Sequence, residues 1–170
     1  MAIEILIPTT RTLGGAARVL LQQLQTKGFQ NIDPPESQNL EVEVMNVDGE
    51  SAPRMVPEDI SAEDLGEEIK ANRELVCVRI PLRLGHFLLF PRFVVLCRPD
   101  DYDDFINDPR ARQIIGREAL ELAHAFQSPE LIVCGDAATD FLGTEATTWE
   151  ELKDVLDEEE VPHRMIELPR

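Results

Sequence analysis

The run LVCVRIPLRLGHFLLFPRFVVLCRP, Leu75 to Pro99, contains four arginines and no carboxylate. All 33 Asp and Glu residues lie outside it, in a chain of 170 residues with a formal net charge of −17. An ionised carboxylate buried without a partner is costly, so a segment free of them reads as the interior of a sheet. Val78, Ile80, Leu82 and Leu84 alternate with Cys77, Arg79, Pro81 and Arg83, which assigns the two groups to opposite faces of one strand. Arg79 and Arg83 then share a face two pleats apart, roughly 13 Å along the strand. Two roles are open to these arginines. The planar guanidinium fork suits partly buried pairing with carboxylates elsewhere in the chain, such as those of Glu63–Glu68 or Glu150–Glu160. Alternatively, the cations form a site for an anionic ligand. The abundance of internal acid favours pairing.

The remaining periodicities give a chain of alternating elements. IEILI, with Ile3, Ile5 and Ile7 on one face, is a strand. AARVLLQQLQTKG is a helix with Leu13, Ala17, Leu20 and Leu24 at helical spacing and Gly28 at its C-terminal cap. LEVEVMN is a second strand. Pro53 and Pro57 predict irregular structure over Ser51–Asp59, and SAEDLGEEIKAN opens with a capping pattern, Ser61 to Asp64. Two strands, Leu75–Leu84 and Phe87–Cys97, hinge at Gly85. DPRARQIIGREALELAHAFQ is the clearest helix, capped by Asp108 with Pro109 at its first position. ELIVCGD is a buried strand, and TTWEELKDVLDEE a helix with the box Thr148 to Glu151. HRMIEL is an edge strand through which a dimer is possible, but Pro162 and Pro169 at its borders argue for a protected edge.

The order is therefore β-α-β-α-β-β-α-β-α-β. It predicts a single α/β (α+β) domain over residues 1–170, built on a central sheet with about four helices packed on it. The hairpin of the two arginine-bearing strands makes that sheet mixed. Cys77, Cys97 and Cys134 lie in apolar runs, as buried thiols of a reducing compartment do. The first residues have no basic n-region, and no run approaches the ~20 apolar residues of a membrane helix. A cytoplasmic protein is expected, and its charge repels nucleic acid and anionic membrane.

Candidate sites lie mostly after strands. CRPDDYDDFINDPR carries Asp100, Asp101, Asp103, Asp104 and Asp108 in what reads as an acidic loop. It lacks the glycine and terminal glutamate of a calcium-binding EF-hand, which leaves a partner-binding or merely solvated loop. Asp136 and Asp140 follow ELIVCG, where ligand groups of open sheets often lie. Thr9, Thr10 and Arg11 with Gly14-Gly15 join a strand to a helix start, a geometry that favours anions, but no nucleotide fingerprint is present. Arg79, Arg83 and Arg98 complete this alternative ligand set. No G-x-S-x-G surrounds a serine, and no cysteine or histidine spacing suits zinc. Cys134 with His86, His124 or His163 is the one available thiol–imidazole combination. Trp149 belongs to the apolar stripe of the last helix with Leu152 and Leu156, beside Glu150, Glu151 and Asp154.

Two classes of function fit this inventory. The first is a non-enzymatic module that neutralises a basic protein through Asp100, Asp101, Asp103, Asp104, Asp136, Asp140, Glu150, Glu151 and Asp154. Bacterial immunity proteins share this charge and size. The second is an enzyme or small-ligand binder using Thr9, Thr10, Arg11, Arg79, Arg83 and Arg98, or a metal site at the strand ends. The strength of the charge and the weakness of every catalytic pattern favour the first. No cofactor and no dedicated metal site are expected, and the chain should be a monomer or a weak homodimer through its last strand.

Overall fold

The computed structural model describes residues 2–27, 39–45, 51–57, 77–81, 85–135 and 148–169. Among them are eight strands and four helices. In chain order these are β1 (Ala2–Pro8), α1 (Leu13–Lys27), β2 (Asn39–Met45), β3 (Ser51–Pro57), β4 (Cys77–Pro81), β5 (His86–Leu89) and β6 (Phe93–Asp101). There follow α2 (Tyr102–Asn107), α3 (Pro109–Ala125), β7 (Glu130–Gly135), α4 (Trp149–Glu158) and β8 (His163–Glu167). The mixed α/β class read from the sequence holds. The pairings described are all antiparallel, so the expected mixture of parallel and antiparallel strands is corrected. The chain gathers into two compact units, Met1–Thr9 with Phe93–Arg170, and Thr10–Arg92.

In the unit Thr10–Arg92 the strand order is β3-β2-β4-β5. The irregular segment expected at Ser51–Asp59 is instead β3, paired with β2 from Asn39↔Pro57 to Met45↔Ser51. Its prolines are tolerated because β3 ends the strand order and has β2 as its one neighbour; an edge strand leaves alternate N–H groups outside the ladder. The helix expected from Ala16 begins at Leu13. Thr12 is the reason: its side-chain oxygen accepts from Gly15 N–H at 3.1 Å and its carbonyl from Ala16 N–H at 2.8 Å, so both glycines fall inside the first turn. Ala16, Ala17 and Leu20 are fully buried. β4 and β5 form the predicted hairpin, Ile80 opposite Phe87 and Val78 opposite Leu89. Gly85 precedes β5 with φ 94°, a conformation that glycine adopts without a steric penalty. Gly28 and the Ser61 capping pattern lie outside the described residues.

The expected single strand Phe87–Cys97 is two strands, broken at Phe90-Pro91-Arg92. Pro91 lacks the N–H that a continuing ladder needs, and it restricts the residue before it.

The other unit is built around β1. Its strand order is β6-β1-β7-β8. β1 runs antiparallel to both neighbours, so β6 and β7 are parallel to each other with β1 inserted between them, a split β-α-β arrangement bridged by α2 and α3. Ile3, Ile5 and Ile7 are fully buried. They share a face with Val94, Leu96 and Arg98, as the pairs Ile7↔Val94, Ile5↔Leu96 and Ile3↔Arg98 require. Arg98 reaches Glu118 of α3, which places α3 over that face, with Ile115, Ala119, Leu122 and Ala123 buried. On the opposite face Phe93 meets Trp149 of α4 with ring centroids 6.3 Å apart.

The helix ends follow local chemistry. Asp108 caps α3 by accepting from Arg110 N–H, with Pro109 in the first turn. Thr148 and Glu151 form the reciprocal capping box of α4. Both helices stop in the same way. Gln127 and Glu160 adopt φ 54°. The bonds Ser128 N–H to Ala123 C=O and Gln127 N–H to His124 C=O, and likewise Val161 N–H to Leu156 C=O and Glu160 N–H to Asp157 C=O, are the two bonds of a Schellman cap. That left-handed position normally holds glycine. A side chain there costs about 1–2 kcal/mol, against a glycine entropy penalty of about 0.5–1 kcal/mol. Gln127→Gly and Glu160→Gly are therefore each expected to stabilise the protein by about 0.5–1 kcal/mol, read as a higher urea midpoint at unchanged m-value.

Candidate functional site

The segment predicted as an acidic loop is strand and helix. β6 continues to Asp101, and α2 follows at once. The helix is only six residues long, and it is held by Tyr102 and Phe105, which are 5% and 1% exposed. Their rings lie 6.0 Å apart. Burial raises the Tyr102 phenol above its ordinary pKa, against the opposing charge of Arg164. Arg112, from the first turn of α3, donates from Nε to the Phe105 carbonyl at 3.2 Å and from its terminal nitrogen to the Ile106 carbonyl. Those carbonyls belong to the end of α2, where orphan acceptors need donors.

This framework divides the acidic residues by task. Asp101 is the N-cap of α2, accepting from Asp103 N–H at 2.9 Å. That bond holds its carboxyl below the ordinary value. The stability it contributes is present above the unfolded pKa and is lost as pH falls through the lowered folded one. Asp100 accepts from Arg98 Nε at 2.6 Å. Asp103 and Asp104 are exposed in the first turn, where the helix dipole favours them. No ion pair engages either among the described residues.

α4 repeats the division. Glu151 closes the capping box. Glu150 is 2.7 Å from Lys153 Nζ; that hydrogen bond, with Glu130 close by, raises the lysine pKa. Asp154 is exposed and makes no ion pair among the described residues. Leu152 and Leu156 are fully buried, as predicted. Trp149 is half-buried, and its indole N–H donates to Glu130. Asp136, Asp140 and Arg83 lie outside the described residues.

The described members of the alternative ligand set belong to both units, Thr9 and Arg98 to one and Thr10, Arg11 and Arg79 to the other. Arg98, 14% exposed, is held between Asp100 and Glu118. Arg79 is half-buried and stands opposite Glu43 in the β2–β4 register. Thr9 is buried, Thr10 exposed and Arg11 half-buried. The helix start beside them is already supplied with a side-chain acceptor by Thr12. His124, one of the three imidazoles considered beside Cys134, is exposed.

One cluster was not anticipated. Cys97, Glu4, Cys134 and His163 stand directly opposite one another in the successive strands β6, β1, β7 and β8. Glu4 is 4% exposed and Cys134 fully buried, and neither Cys97 nor Cys134 is in a disulfide. The sequence carried a signal for Glu4: β1 is apolar on both faces, with Leu6 beside it as well as the isoleucines opposite, and such strands are buried on both sides. The row does not assemble a Cys–His nucleophile. His163 Nδ1 lies 2.7 Å from the Val161 carbonyl and Nε2 3.2 Å from Asp157, while the Cys134 thiol turns to the Glu4 carbonyl at 3.6 Å. Among the described residues no group of three or more His, Cys, Asp or Glu could hold a metal ion, and no helix is long and apolar enough to cross a membrane. Compared with protein-family models, curated proteins and solved structures, the chain finds no match.

Proposed function

We propose that this chain is a non-enzymatic binding module that engages and neutralises a basic protein, with the acidic turns of α2 and α4 as contacts. The carrying observation is the exposure of Asp103, Asp104 and Asp154 on helices whose other side is fixed by Phe105, Leu152 and Leu156. Charge displayed on an anchored element costs less to order at an interface than charge on a free loop. The net charge of −17 adds long-range attraction for a basic partner. Asp136 and Asp140 count toward that net charge, and the capping or paired acids Asp100, Asp101, Glu150 and Glu151 contribute to the field of the surface. The reading as an anion-binding enzyme is disfavoured by Arg98 being engaged by two carboxylates of its own chain.

Affinity capture with the tagged protein from its native cells, at low and high salt, tests this reading. One basic protein retained in stoichiometric amount at low salt, and released as salt rises, is the expected result. Retention of no basic protein would overturn it.

A further inference from the structure

β8 ends the strand order of its unit, with β7 as its one neighbour. Its pairing parity is fixed by two bonds at its ends: Leu168 N–H donates to Pro129 C=O at 2.8 Å, and Gly135 N–H to Pro162 C=O at 3.1 Å. In an antiparallel ladder alternate residues bond to the same neighbour. Residues 162, 164, 166 and 168 therefore direct their backbone groups at β7, and His163, Met165 and Glu167 direct theirs at the open edge. Met165 is 39% exposed, one of two large hydrophobic side chains exposed among the described residues.

We propose that a second copy of this chain docks on that edge, β8 against β8, about a two-fold axis at Met165. In this register Met165 faces its own copy, and His163 faces Glu167 of the other chain on both sides of the axis. All three outward-facing residues become hydrogen-bonded pairs, about six backbone bonds in total. The opposed imidazole and carboxylate are complementary when the imidazole is charged, a favourable cross-strand pair. Neighbouring registers do worse. An axis at Arg164 sets Arg164 against itself and Glu167 against Val161, whose N–H is already given to Leu156. An axis at Ile166 sets His163 against Pro169, which has no N–H, and Met165 against Glu167. Pro169 on one side and Val161, already bonded to Leu156, on the other limit the open edge, so that of these three registers only the one about Met165 pairs every outward-facing residue.

Two effects keep the dimer weak. A five-residue strand makes an interface at the small end of the range, and two chains of charge −17 repel each other. The dimer should accordingly tighten as salt screens that repulsion, opposite to the salt response of the basic partner's complex.

Sedimentation equilibrium of the full chain, from about 10 to 500 µM at low and high salt, tests the proposal. A monomer–dimer equilibrium that tightens with salt is expected. Met165→Pro removes an N–H that faces the edge and not β7, and Glu167→Lys opposes cation to imidazole. Both should leave the monomer fold and its circular dichroism unchanged while weakening dimerisation about tenfold or more. A chain that stays monomeric throughout, or a dimer undiminished in either folded variant, would overturn the proposal.

Discussion

Phe105→Ala is expected to lower the unfolding free energy by about 3–5 kcal/mol, the range for truncating a buried phenylalanine. The side chain is 1% exposed and touches the ring system of Tyr102. Its element makes the loss hard to absorb. Isolated helices below about 12–15 residues are marginal in water, so six-residue α2 depends on tertiary packing for its existence. With the ring removed, Tyr102 loses its neighbour, and the carbonyls that Arg112 binds are no longer held against α3. Since whole domains are stable by only about 5–15 kcal/mol, urea unfolding followed by circular dichroism should register the change plainly. Phe105→Leu should cost much less, because it retains most of the buried volume. A loss below about 1 kcal/mol for the alanine variant would mean that α2 is not held by this side chain.

How far the sequence foretold the structure depended on how local each determinant is. The cap of α3 at Asp108, the capping box of α4 and the burial of Leu131 through Cys134 were legible because each is decided within a few residues. The break at Pro91-Arg92 was not foreseen, because whether proline bends a strand or ends it depends on what pairs beyond it. β3 was not legible, since a strand with prolines survives only at an edge, and edge position is a property of the sheet. The place of β1 between β6 and β7 joins the start of the chain to segments about a hundred residues away, and with it the burial of Glu4. α2 was missed because Tyr102 and Phe105 supply only one apolar contact at helical spacing, too little to read as a helix inside an acidic run.

The candidate site was legible in composition and not in assignment. Asp100, Asp101, Asp103 and Asp104 look equivalent in sequence, yet the first holds Arg98 and the second caps a helix. Reversing all four would disturb the fold together with the surface. Reversing only Asp103 and Asp104 separates the two effects. Lysines in the first turn of α2 oppose the helix dipole at about 0.3–1 kcal/mol each, small beside the expected effect on association. Electrostatic steering accelerates encounter by about 10- to 1000-fold, and these two positions combine exposure with an anchored backbone.

The decisive measurement is the association rate of Asp103→Lys/Asp104→Lys, against that of the unaltered protein, with the basic protein retained in capture. The rate should fall about tenfold or more at low salt, and the difference should close near 1 M, where the Debye length is about 3 Å. An unchanged rate at low salt, in a variant that retains its fold, would contradict the role of α2 as the contact surface.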